Sequence, residues 1–440
     1  MSDPYPEVKI LNRSDIETSV QRKLILQAIC KSMDELSPFR LGSDHISGII
    51  GPGRSYNRIY AIGFGKASLN MYYGIREKIL DKLEFAGIIV PAGEKPSRDC
   101  PELRLLYGNH PIIGAESIAS SEYLVSRLND LEENDLVIVL ISGGGSALFE
   151  VPSPGITLEK ISEISKCLMN AGADIYDLNA VRQVLSRVKG GKFARMLQPA
   201  LVESLVISDV PGDDVSVIAS GPLVRPIIAS AERKKIIEEF SDQCPLLREI
   251  DEKSLGYDLP EETFSRVRTS VILKNGDFVD RIGDFLRKQG ENVITVKRPI
   301  TGDVHEVSGS IAEALRAGYN SGPVWIVAGG ETTVKVHGNG IGGRNCELAL
   351  RVSRNMEPGE RFTFASIGTD GIDGTSPAMG GIVDDDFRGL VSPEIVDESL
   401  GNNDSFTLLS KYNATIITGY TGTNVSDIFI GYYGGKQIGE

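Results

Sequence analysis

The chain has few of the residues that usually mark metal sites and disulfide frameworks. Its five cysteines are scattered without a CxxC pair, and it contains only four histidines. Scattered cysteines favour reduced thiols in a reducing compartment. So few histidines argue against histidine-rich metal chemistry. The sequence therefore predicts a cytoplasmic protein without a zinc-finger type of site.

Long apolar runs and an excess of positive charge are also missing. No stretch of about 18 apolar residues is present, so no membrane-spanning helix is predicted, and the N-terminus has no apolar core of the signal-peptide type. Lysine and arginine number 46 against 60 aspartates and glutamates, a formal net charge of −14. Such a chain is not expected to bind nucleic acid or an anionic membrane. Any positive charge that binds an anionic ligand must therefore be local.

Glycine, in contrast, is abundant at 48 of 440 residues. Continuous apolar strands such as 135–142 alternate with amphipathic helices, a pattern typical of parallel strands that are covered on both faces. The polar stretch 241–268 is predicted to be a linker. The sequence therefore predicts two α/β domains. Residues 1–240 would form a Rossmann-like domain with a mostly parallel sheet, and 269–440 a smaller one whose terminal strand could pack on either domain.

Polar, glycine-rich motifs follow several predicted strands, and ligands bind at that edge of open α/β sheets. In GFGKAS (63–68), Lys66 stands at the start of a helix, where backbone N–H groups favour phosphate or carboxylate. The motif lacks the first glycine and the Ser/Thr of a Walker loop, and Ser68 replaces the third glycine of the Rossmann fingerprint. Lys66 is either an anion-binding residue or an ordinary lysine after a tight turn.

SGGGSAL (142–148) directly follows the most apolar strand of the chain. Its three successive glycines let backbone N–H groups approach a triphosphate, and its two serines can add hydroxyl donors. A flexible turn is the alternative, although a glycine run so close to a core strand favours function. The predicted phosphate-binding residues of this motif are Ser142, Gly143, Gly144, Gly145 and Ser146.

A helix is predicted near 177–189, with an apolar stripe on one face and Arg182, Ser186 and Lys189 on the other. A charged face is common on surface helices, which is the alternative interpretation. Cations concentrated in a chain of net charge −14 nevertheless suit an anionic ligand. The residues predicted to bind nucleotide phosphates here are Lys189, Gly190 and Gly191.

Three aspartates follow another predicted strand: Asp209 directly, and Asp213 and Asp214 in the next turn. Carboxylates at such a place suit Mg²⁺, which takes a few protein oxygens together with nucleotide phosphates. One of them can instead accept the proton of a substrate hydroxyl. The alternative is an Asx-turn, in which the carboxylate binds nearby backbone N–H groups. Asp209 is the predicted catalytic residue and metal ligand, with Asp213 as a second ligand.

The C-terminal half has two further motifs that follow strands. The segment 329–350 carries Arg344 into the start of a helix, where its guanidinium can bind a carboxylate or phosphate in bidentate fashion. The segment 368–385 contains Asp373, which with the next glycine is also a common turn pair. No role is predicted for His110. The residues predicted to contact the substrate, or to support those that do, are Glu331, Asn345, Thr369 and Asp370.

Taken together, these motifs resemble the class II glycerate kinase family, whose C-terminal half is the MOFRL domain. GFGKAS, GNHPIIG, SGGGSAL, LNAVRQVLSRVKGG, SDVPGDD, GGRNCELAL, GTDGIDGTSPA and TGTNVSD occur in family order from residue 58 to 430. The resemblance implies a two-domain α/β fold with the active site in the interdomain cleft. It also implies phosphorylation of D-glycerate by ATP with Mg²⁺. Lys66 and Arg344 match the residues favoured for the active site of the family.

Alternatives to this function stay open at the level of the sequence. The family includes members that make 2-phosphoglycerate and others assigned to the 3-position, and the 2-product is expected on family frequency. A nicotinamide-dependent hydroxypyruvate reductase is the main alternative function, although no intact GxGxxG with an acidic residue about twenty positions later is present. A non-catalytic nucleotide or sugar-acid sensor is a further hypothesis. The expected partners are D-glycerate and ATP, and homo-oligomerisation is left open.

Overall fold

A computed structural model describes residues 7–51, 55–226, 228–250, 257–320 and 322–436, and of Ile175 only the backbone. The chain divides into two compact units. The first unit is Pro38–Leu273, and the second combines the chain before Pro38 with the chain from Lys274 onward. This division differs from the predicted domains. The N-terminal helices belong with the C-terminal part, and the predicted linker 241–268 lies within the first unit.

Local sequence signals account for several helix starts. Ser19 caps α2 by accepting the Arg22 N–H, and Asp174 forms a capping box at the start of α8. The helices are α1 (Arg13–Ile16), α2 (Val20–Glu35), α3 (Pro38–Ile49), α4 (Ser68–Ile79), α5 (Ala115–Ser126), α6 (Gly145–Leu148), α7 (Leu158–Asn170), α8 (Ile175–Leu185), α9 (Lys192–Met196), α10 (Ser230–Phe240), α11 (Asn275–Lys288), α12 (Val304–Gly318), α13 (Arg344–Asn355), α14 (Asp385–Leu390), α15 (Pro393–Gly401) and α16 (Ser405–Lys411).

The strands form one sheet in each unit, both rich in β-branched and apolar residues. In chain order they are β1 (Ile59–Phe64), β2 (Leu83–Pro91), β3 (Leu103–Gly108), β4 (Leu136–Ile141), β5 (Leu201–Ile207), β6 (Val267–Leu273), β7 (Val293–Thr295), β8 (Ile300–Asp303), β9 (Val324–Thr333), β10 (Glu360–Gly368), β11 (Gly380–Asp384), β12 (Thr415–Ile416) and β13 (Asp427–Lys436).

The first unit contains a six-stranded parallel sheet with the order β3-β2-β1-β4-β5-β6. Every residue of β1 and β4 is buried, as their continuous apolar runs predict. The strand order reverses between β1 and β4, and ligands bind outside the carboxyl ends of the strands at such a point. The predicted Rossmann-like domain is therefore present. Strand β6 completes this sheet, although the sequence assigned most of it to the second domain.

The second unit contains a mixed sheet with the order β12-β11-β10-β13-β9-β7, in which β8 also pairs with β9. The last strand, β13, lies between β10 and β9 and is antiparallel to both. The terminal strand therefore packs within the second unit rather than on the first sheet. Its register places Asp427 between Gly330 of β9 and Gly368 of β10. The ends of three strands thus meet at one edge.

Each sheet packs its apolar residues against the helices of its own unit. In the first unit, Phe64 stacks on Phe149 with ring centroids 4.2 Å apart, and Phe193 contacts Phe149 edge-on. Burying side chains of this size contributes about 1.5–3 kcal/mol each. Helices α7, α8 and α10 share a separate apolar cluster that includes Ile164 and Val184. This cluster holds α8 in place beside the sheet.

Cys167 and Cys244 form a disulfide whose Cα atoms lie 5.8 Å apart. The bond joins α7 to the segment that follows α10. The prediction of a fully reduced set of thiols was therefore wrong for this pair. The two cysteines are 77 residues apart in sequence, and only the packing of the helices brings them together. In the described ranges, no helix combines the length and the hydropathy needed to cross a membrane.

Candidate active site

The glycine-rich motifs after β1 and β4 are hydrogen-bonded to each other. The N–H of Lys66 donates to the Gly143 carbonyl at 3.0 Å, and the N–H of Ala67 donates to the Ser142 hydroxyl at 2.9 Å. Strands β1 and β4 are neighbours where the strand order reverses. The two motifs therefore come together at the edge of the sheet where a ligand is expected.

Two glycines at this edge lie close to neighbouring groups, Gly65 against Ser142 and Gly144 against the side chain of His110. Gly65 has a φ of 125°, and a Cβ there would lie 2.3 Å from the Ser142 Oγ. Gly144 has a φ of 85°, and its Cβ would lie 2.9 Å from Cδ2 of His110. Both positions combine a left-handed backbone with close approach, which only glycine permits. His110, for which the sequence predicts no role, thus lies against the glycine loop.

The glycine loop presents backbone donors. Among the described residues, the N–H groups of Gly143 and Gly144 donate to no acceptor. Buried or half-buried N–H groups are normally paired in proteins, so two adjacent unpaired ones indicate a place for an anion or water. Gly145 differs, because its N–H donates to the Ser142 carbonyl at 3.2 Å. Part of the predicted phosphate-binding loop is therefore used to build the turn itself.

Lys189 lies in the interior of the first unit. Its side chain is fully buried, its Nζ lies 2.5 Å from Glu150 Oε2, and it donates to the Ser146 carbonyl at 2.8 Å. Burial lowers the pKa of Lys189, and the charge of Glu150 opposes that shift. The predicted phosphate contact of Lys189 is corrected by this geometry, because the ammonium is used by a carboxylate and by the glycine loop. Lys189 therefore stabilises the glycine loop through its hydrogen bond to the Ser146 carbonyl.

The two glycines after Lys189 also make contacts within the protein. The N–H of Gly190 donates to the Ser220 carbonyl at 3.0 Å, and that of Gly191 donates to the Gly221 carbonyl at 2.8 Å. These groups are therefore not available to a phosphate, contrary to the prediction. Their left-handed φ values of 59° and 77° allow the chain to pair with the segment 220–221.

A chain of polar side chains connects the loop to α8. The Ser146 hydroxyl lies 3.2 Å from the Ser220 hydroxyl, which donates to Asn179 Oδ1 at 3.0 Å. Ser220 itself has a φ of 61°, a strained conformation for a residue with a side chain. Asn179 and Ser220 were not among the predicted site residues. The position of Ser146 is therefore held by a residue of α8 and a residue of a later turn, both far away in sequence.

Glu94 is a further residue that the sequence analysis missed. It lies in the turn after β2, the strand next to β1, and is partly buried. Burial raises the pKa of Glu94 to about 7, and the positive charge of Lys66 opposes the shift. The carboxyl group therefore lies close enough to Lys66 to feel its charge. Its position directly after a predicted strand, at the carboxyl edge of the sheet, is the signal by which Glu94 could have been identified.

The three aspartates after β5 lie partly buried at the carboxyl end of that strand. Asp214 Oδ1 accepts the N–H of Ser216 at 2.9 Å, as the Asx-turn alternative predicts, and Asp213 has a turn φ of 56°. No cluster of three or more His, Cys, Asp or Glu that could hold a metal occurs in the described part of the chain. Mg²⁺ takes carboxylate oxygens and needs only one or two of them beside nucleotide phosphates, so Asp209 and Asp213 have the right donor type, and their role as ligands stays a prediction.

Arg344 is the first residue of α13 and makes two ion pairs. Its Nε and one terminal nitrogen donate to the two oxygens of Asp427 at 2.7 and 3.0 Å, and the other terminal nitrogen donates to Glu331 Oε1 at 2.8 Å. These bonds use three of the five N–H groups of the guanidinium. The side chain is 34% exposed. Arg344 therefore keeps donors for a ligand while its orientation is set by carboxylates.

Asp427 is the central carboxylate of this cluster and was missed as a site residue. It is fully buried, and its Oδ1 also accepts the Asn345 side-chain amide at 3.0 Å. Burial raises the pKa of Asp427 to about 6, although the charge of Arg344 lowers it. The residue lies in the TGTNVSD motif, but nothing local distinguishes it from a turn aspartate. Only the register of β13 places it beside Arg344.

The remaining predicted residues of the second unit support this arrangement. Asp373 caps α13, because its two oxygens accept the N–H groups of Asn345 and Cys346 at 2.9 and 2.8 Å. Thr369 is fully buried and binds the turn before β13 through the Ser426 carbonyl at 2.8 Å. Asn345 is also buried. Asp370 is partly buried beside Thr369.

The described geometry provides anion-binding groups in each unit. The first unit offers unpaired backbone N–H groups and Lys66 at the carboxyl edge of a parallel sheet, and backbone donors there favour phosphates. The second unit offers an oriented guanidinium, whose fork matches a carboxylate or phosphate. Such groups suit an enzyme that acts on negatively charged small molecules.

Comparisons with known proteins agree with this description. Residues 15–251 match the model described as Domain of unknown function (DUF4147), and residues 324–427 match the MOFRL family. The chain is 44% identical to Glycerate 2-kinase of Picrophilus torridus, over 97% of this chain and 100% of that protein. It is 33% identical to D-glycerate 2-kinase of Thermotoga maritima, over 93% of this chain and 98% of the relative.

A solved structure supports the same assignment. The crystal structure of glycerate kinase from Thermotoga maritima superposes with a TM-score of 0.83 at 32% identity, and the match covers 93% of this chain and 99% of that one. Both the sequence relatives and this structure therefore match nearly their full length. The chain belongs to the class II glycerate kinase family, with the MOFRL domain in its C-terminal part.

Proposed function

We propose that this protein is a kinase that transfers the γ-phosphoryl group of ATP to D-glycerate and forms 2-phosphoglycerate. The observation that carries the proposal is the pair of unpaired N–H groups at Gly143 and Gly144, beside Lys66 at the reversal point of the sheet. Relatives that match almost end to end carry the names glycerate 2-kinase and D-glycerate 2-kinase. The donors of the glycine loop and the names of these relatives both support phosphoryl transfer.

In the first unit, the nucleotide phosphates bind to the glycine loop. Gly143 and Gly144 donate their N–H groups to phosphate oxygens, and Lys66 neutralises charge on the group being transferred. The buried pair of Lys189 and Glu150 keeps the loop in position through the Ser146 carbonyl. Asp209 and Asp213 are the residues that would hold Mg²⁺, which supplies further charge neutralisation when it is bound with ATP.

In the second unit, Arg344 binds the carboxylate of D-glycerate. Its two remaining N–H groups, one on each terminal nitrogen, are the donors for the carboxylate. Asp427 and Glu331 hold the guanidinium so that little side-chain freedom is lost when the substrate binds. The substrate is thereby oriented through its carboxylate, and its hydroxyls stay available for reaction.

The reaction itself needs little covalent help from the protein. The 2-hydroxyl oxygen forms a bond to the γ-phosphorus, the bond to the β,γ-bridging oxygen breaks, and ADP leaves. The proton of the hydroxyl passes to a carboxylate, for which Asp209 is proposed. Positioning and charge neutralisation supply most of the acceleration in phosphoryl transfer.

The decisive experiment follows ADP release from ATP with D-glycerate, and identifies the product by ³¹P NMR. The expected result is 2-phosphoglycerate, with L-glycerate as the stereochemical control. A 3-phosphoglycerate product would correct the position of transfer. Oxidation of NADH by hydroxypyruvate without ADP release would show that the protein is a reductase rather than a kinase. Binding of ATP without turnover would indicate a sensor.

The role of Lys66 is tested separately. Lys66→Ala should lower kcat by about 100-fold, the cost of removing a group that stabilises charge in the transition state. Lys95→Ala is the matched control, because Lys95 is an exposed lysine of the same unit. Turnover of Lys66→Ala within a few-fold of the unmodified protein would remove Lys66 from the mechanism and leave the activity assignment intact.

A further inference from the structure

The second unit contains a cavity of about 320 Å³ that the proposed reaction does not use. Its walls are the segment 296–301, helix α12 and the faces of β9, β10 and β13. The cavity is open to solvent on the side where Arg298 and Ala314 are exposed. The volume lies within the range of ligand pockets, roughly 300–1,000 Å³. A half-open space of this size is therefore large enough for a small ligand.

The body of the cavity is apolar. Phe364 and Phe429 of neighbouring strands form its floor together with Ile326, and Ile311 and Leu315 of α12 form the opposite wall. Each of the two phenylalanines is almost fully buried. An apolar surface of this kind is favourable for a hydrocarbon chain and unfavourable for a sugar acid such as glycerate, whose hydroxyls would lose their hydrogen bonds.

One of the residues that line the cavity is positively charged. Arg298 lines it and is exposed, and it forms no ion pair with any carboxylate of the described ranges. The neighbouring Lys297 differs, because it pairs with Asp280. Thr301 lines the cavity beside Arg298 and adds a hydroxyl donor. The guanidinium and the hydroxyl therefore offer donors that complement a carboxylate.

We propose that this cavity binds a medium-chain monocarboxylate, with its hydrocarbon chain between α12 and the sheet and its carboxylate at Arg298. Charge complementarity at one end and an apolar body at the other select an amphipathic anion over a neutral or a small one. The residues that line the cavity do not include Glu331, Arg344 or Asp427. The cavity therefore neighbours the site proposed for glycerate, since Thr301 pairs with Glu331 in the sheet, but it has its own lining, and the proposal holds whether or not the kinase activity is found.

The test is isothermal titration calorimetry of the full chain with octanoate, using acetate and 1-octanol as controls. Octanoate should bind, 1-octanol should bind more weakly because it lacks the charge, and acetate should not bind because it lacks the chain. Arg298→Gln should weaken octanoate binding about tenfold, the value of a hydrogen bond to a charged group, and should leave 1-octanol binding unchanged. Arg361→Gln, at an exposed arginine elsewhere in the unit, should change neither.

A second variant keeps the proposal open to refutation. Ala314 lines the cavity from the exposed side of α12, so Ala314→Phe should fill the space without disturbing the core and should abolish binding of both ligands. Circular dichroism checks that the variants fold. Absence of octanoate binding, equal losses in Arg298→Gln and Arg361→Gln, or displacement of octanoate by D-glycerate would each overturn the proposal.

Discussion

Lys189 of the first unit and Arg344 of the second are both cations held by carboxylates, but they differ in what they leave for a ligand. Lys189 is fully buried against Glu150. Arg344 is about one-third exposed and binds Asp427 and Glu331 with only part of its guanidinium. An ammonium is a compact charge, whereas a guanidinium has donors on several sides. A paired arginine can therefore still bind a ligand, while a buried paired lysine supports the fold.

The largest effect that separates these two roles is expected for Lys189→Met. The change leaves the Glu150 carboxylate buried without its partner, which should lower the free energy of unfolding by about 3–5 kcal/mol. Hydrogen exchange followed by mass spectrometry should locate the loss of protection around 142–150. The double variant Lys189→Met/Glu150→Leu should recover most of the stability, because it removes both charges. A single variant as stable as the unmodified protein would contradict the supporting role.

Arg344→Lys should affect activity more than stability. A lysine keeps the charge but cannot form the paired bonds to Asp427 and to a substrate carboxylate, so kcat/KM for D-glycerate should fall by about 100-fold. Arg354→Lys is the matched control, since Arg354 lies on the same helix and pairs with the exposed Asp397. Steady-state kinetics with both substrates varied are the measurement. Equal kinetics for the two variants would refute a ligand contact of Arg344.

Gly144→Ala tests whether close approach at the glycine loop matters beyond backbone strain. Gly155→Ala is its control, because Gly155 has a similar φ of 79° but open space at the Cβ position. In both variants the free energy of unfolding should fall by roughly 1–2 kcal/mol, because alanine is strained in a left-handed backbone conformation. Only Gly144→Ala should also displace His110 or the loop and raise KM for ATP, by about tenfold. Similar KM values for the two variants would show that the loop does not bind the nucleotide.

The smallest expected effect concerns pH. Burial raises the pKa of Glu94 to about 7, so its carboxyl group is mostly protonated at pH 6 and mostly ionised at pH 8. Ionisation places a negative charge near Lys66 and weakens its attraction for phosphate. KM for ATP should therefore rise severalfold between these pH values, and Glu94→Gln should remove that part of the rise.

The same shift has a consequence for folding. Because the pKa of Glu94 is raised in the folded state, the protonated carboxyl group favours folding, and this contribution is lost as the pH rises through about 7.

The control for the pH dependence of KM is Glu122→Gln, at an exposed position of the same unit. If KM for ATP rises equally with pH in Glu94→Gln and Glu122→Gln, the coupling between Glu94 and Lys66 is too weak to matter.

The two regions also differ in how far local patterns predict them. The glycine loop and Lys66 follow apolar strands directly, and parallel strands bring their carboxyl ends to one edge. Lys189 was placed on a helix face, but α8 ends at Leu185. The next residues pair with 151–152 instead, since Ser186 bridges to Pro152 and the Arg187 N–H donates to the Val151 carbonyl at 2.7 Å. This pairing turns Lys189 toward the interior, an orientation that helical periodicity in the sequence cannot predict.

By itself, the sequence determined the α/β class, the alternation of strands and helices and the position of glycine-rich turns, because these depend on periodicity and on conformational freedom within a few residues. Its motifs also indicated the family. Only the tertiary structure decided which side chains meet. Asp427 reaches Arg344 across 83 residues through the antiparallel register of β13, and Lys189 reaches Glu150 across 39. Such pairs form because a buried charge is costly unless an opposite charge or hydrogen bonds compensate it, and that constraint exists only once the chain has folded.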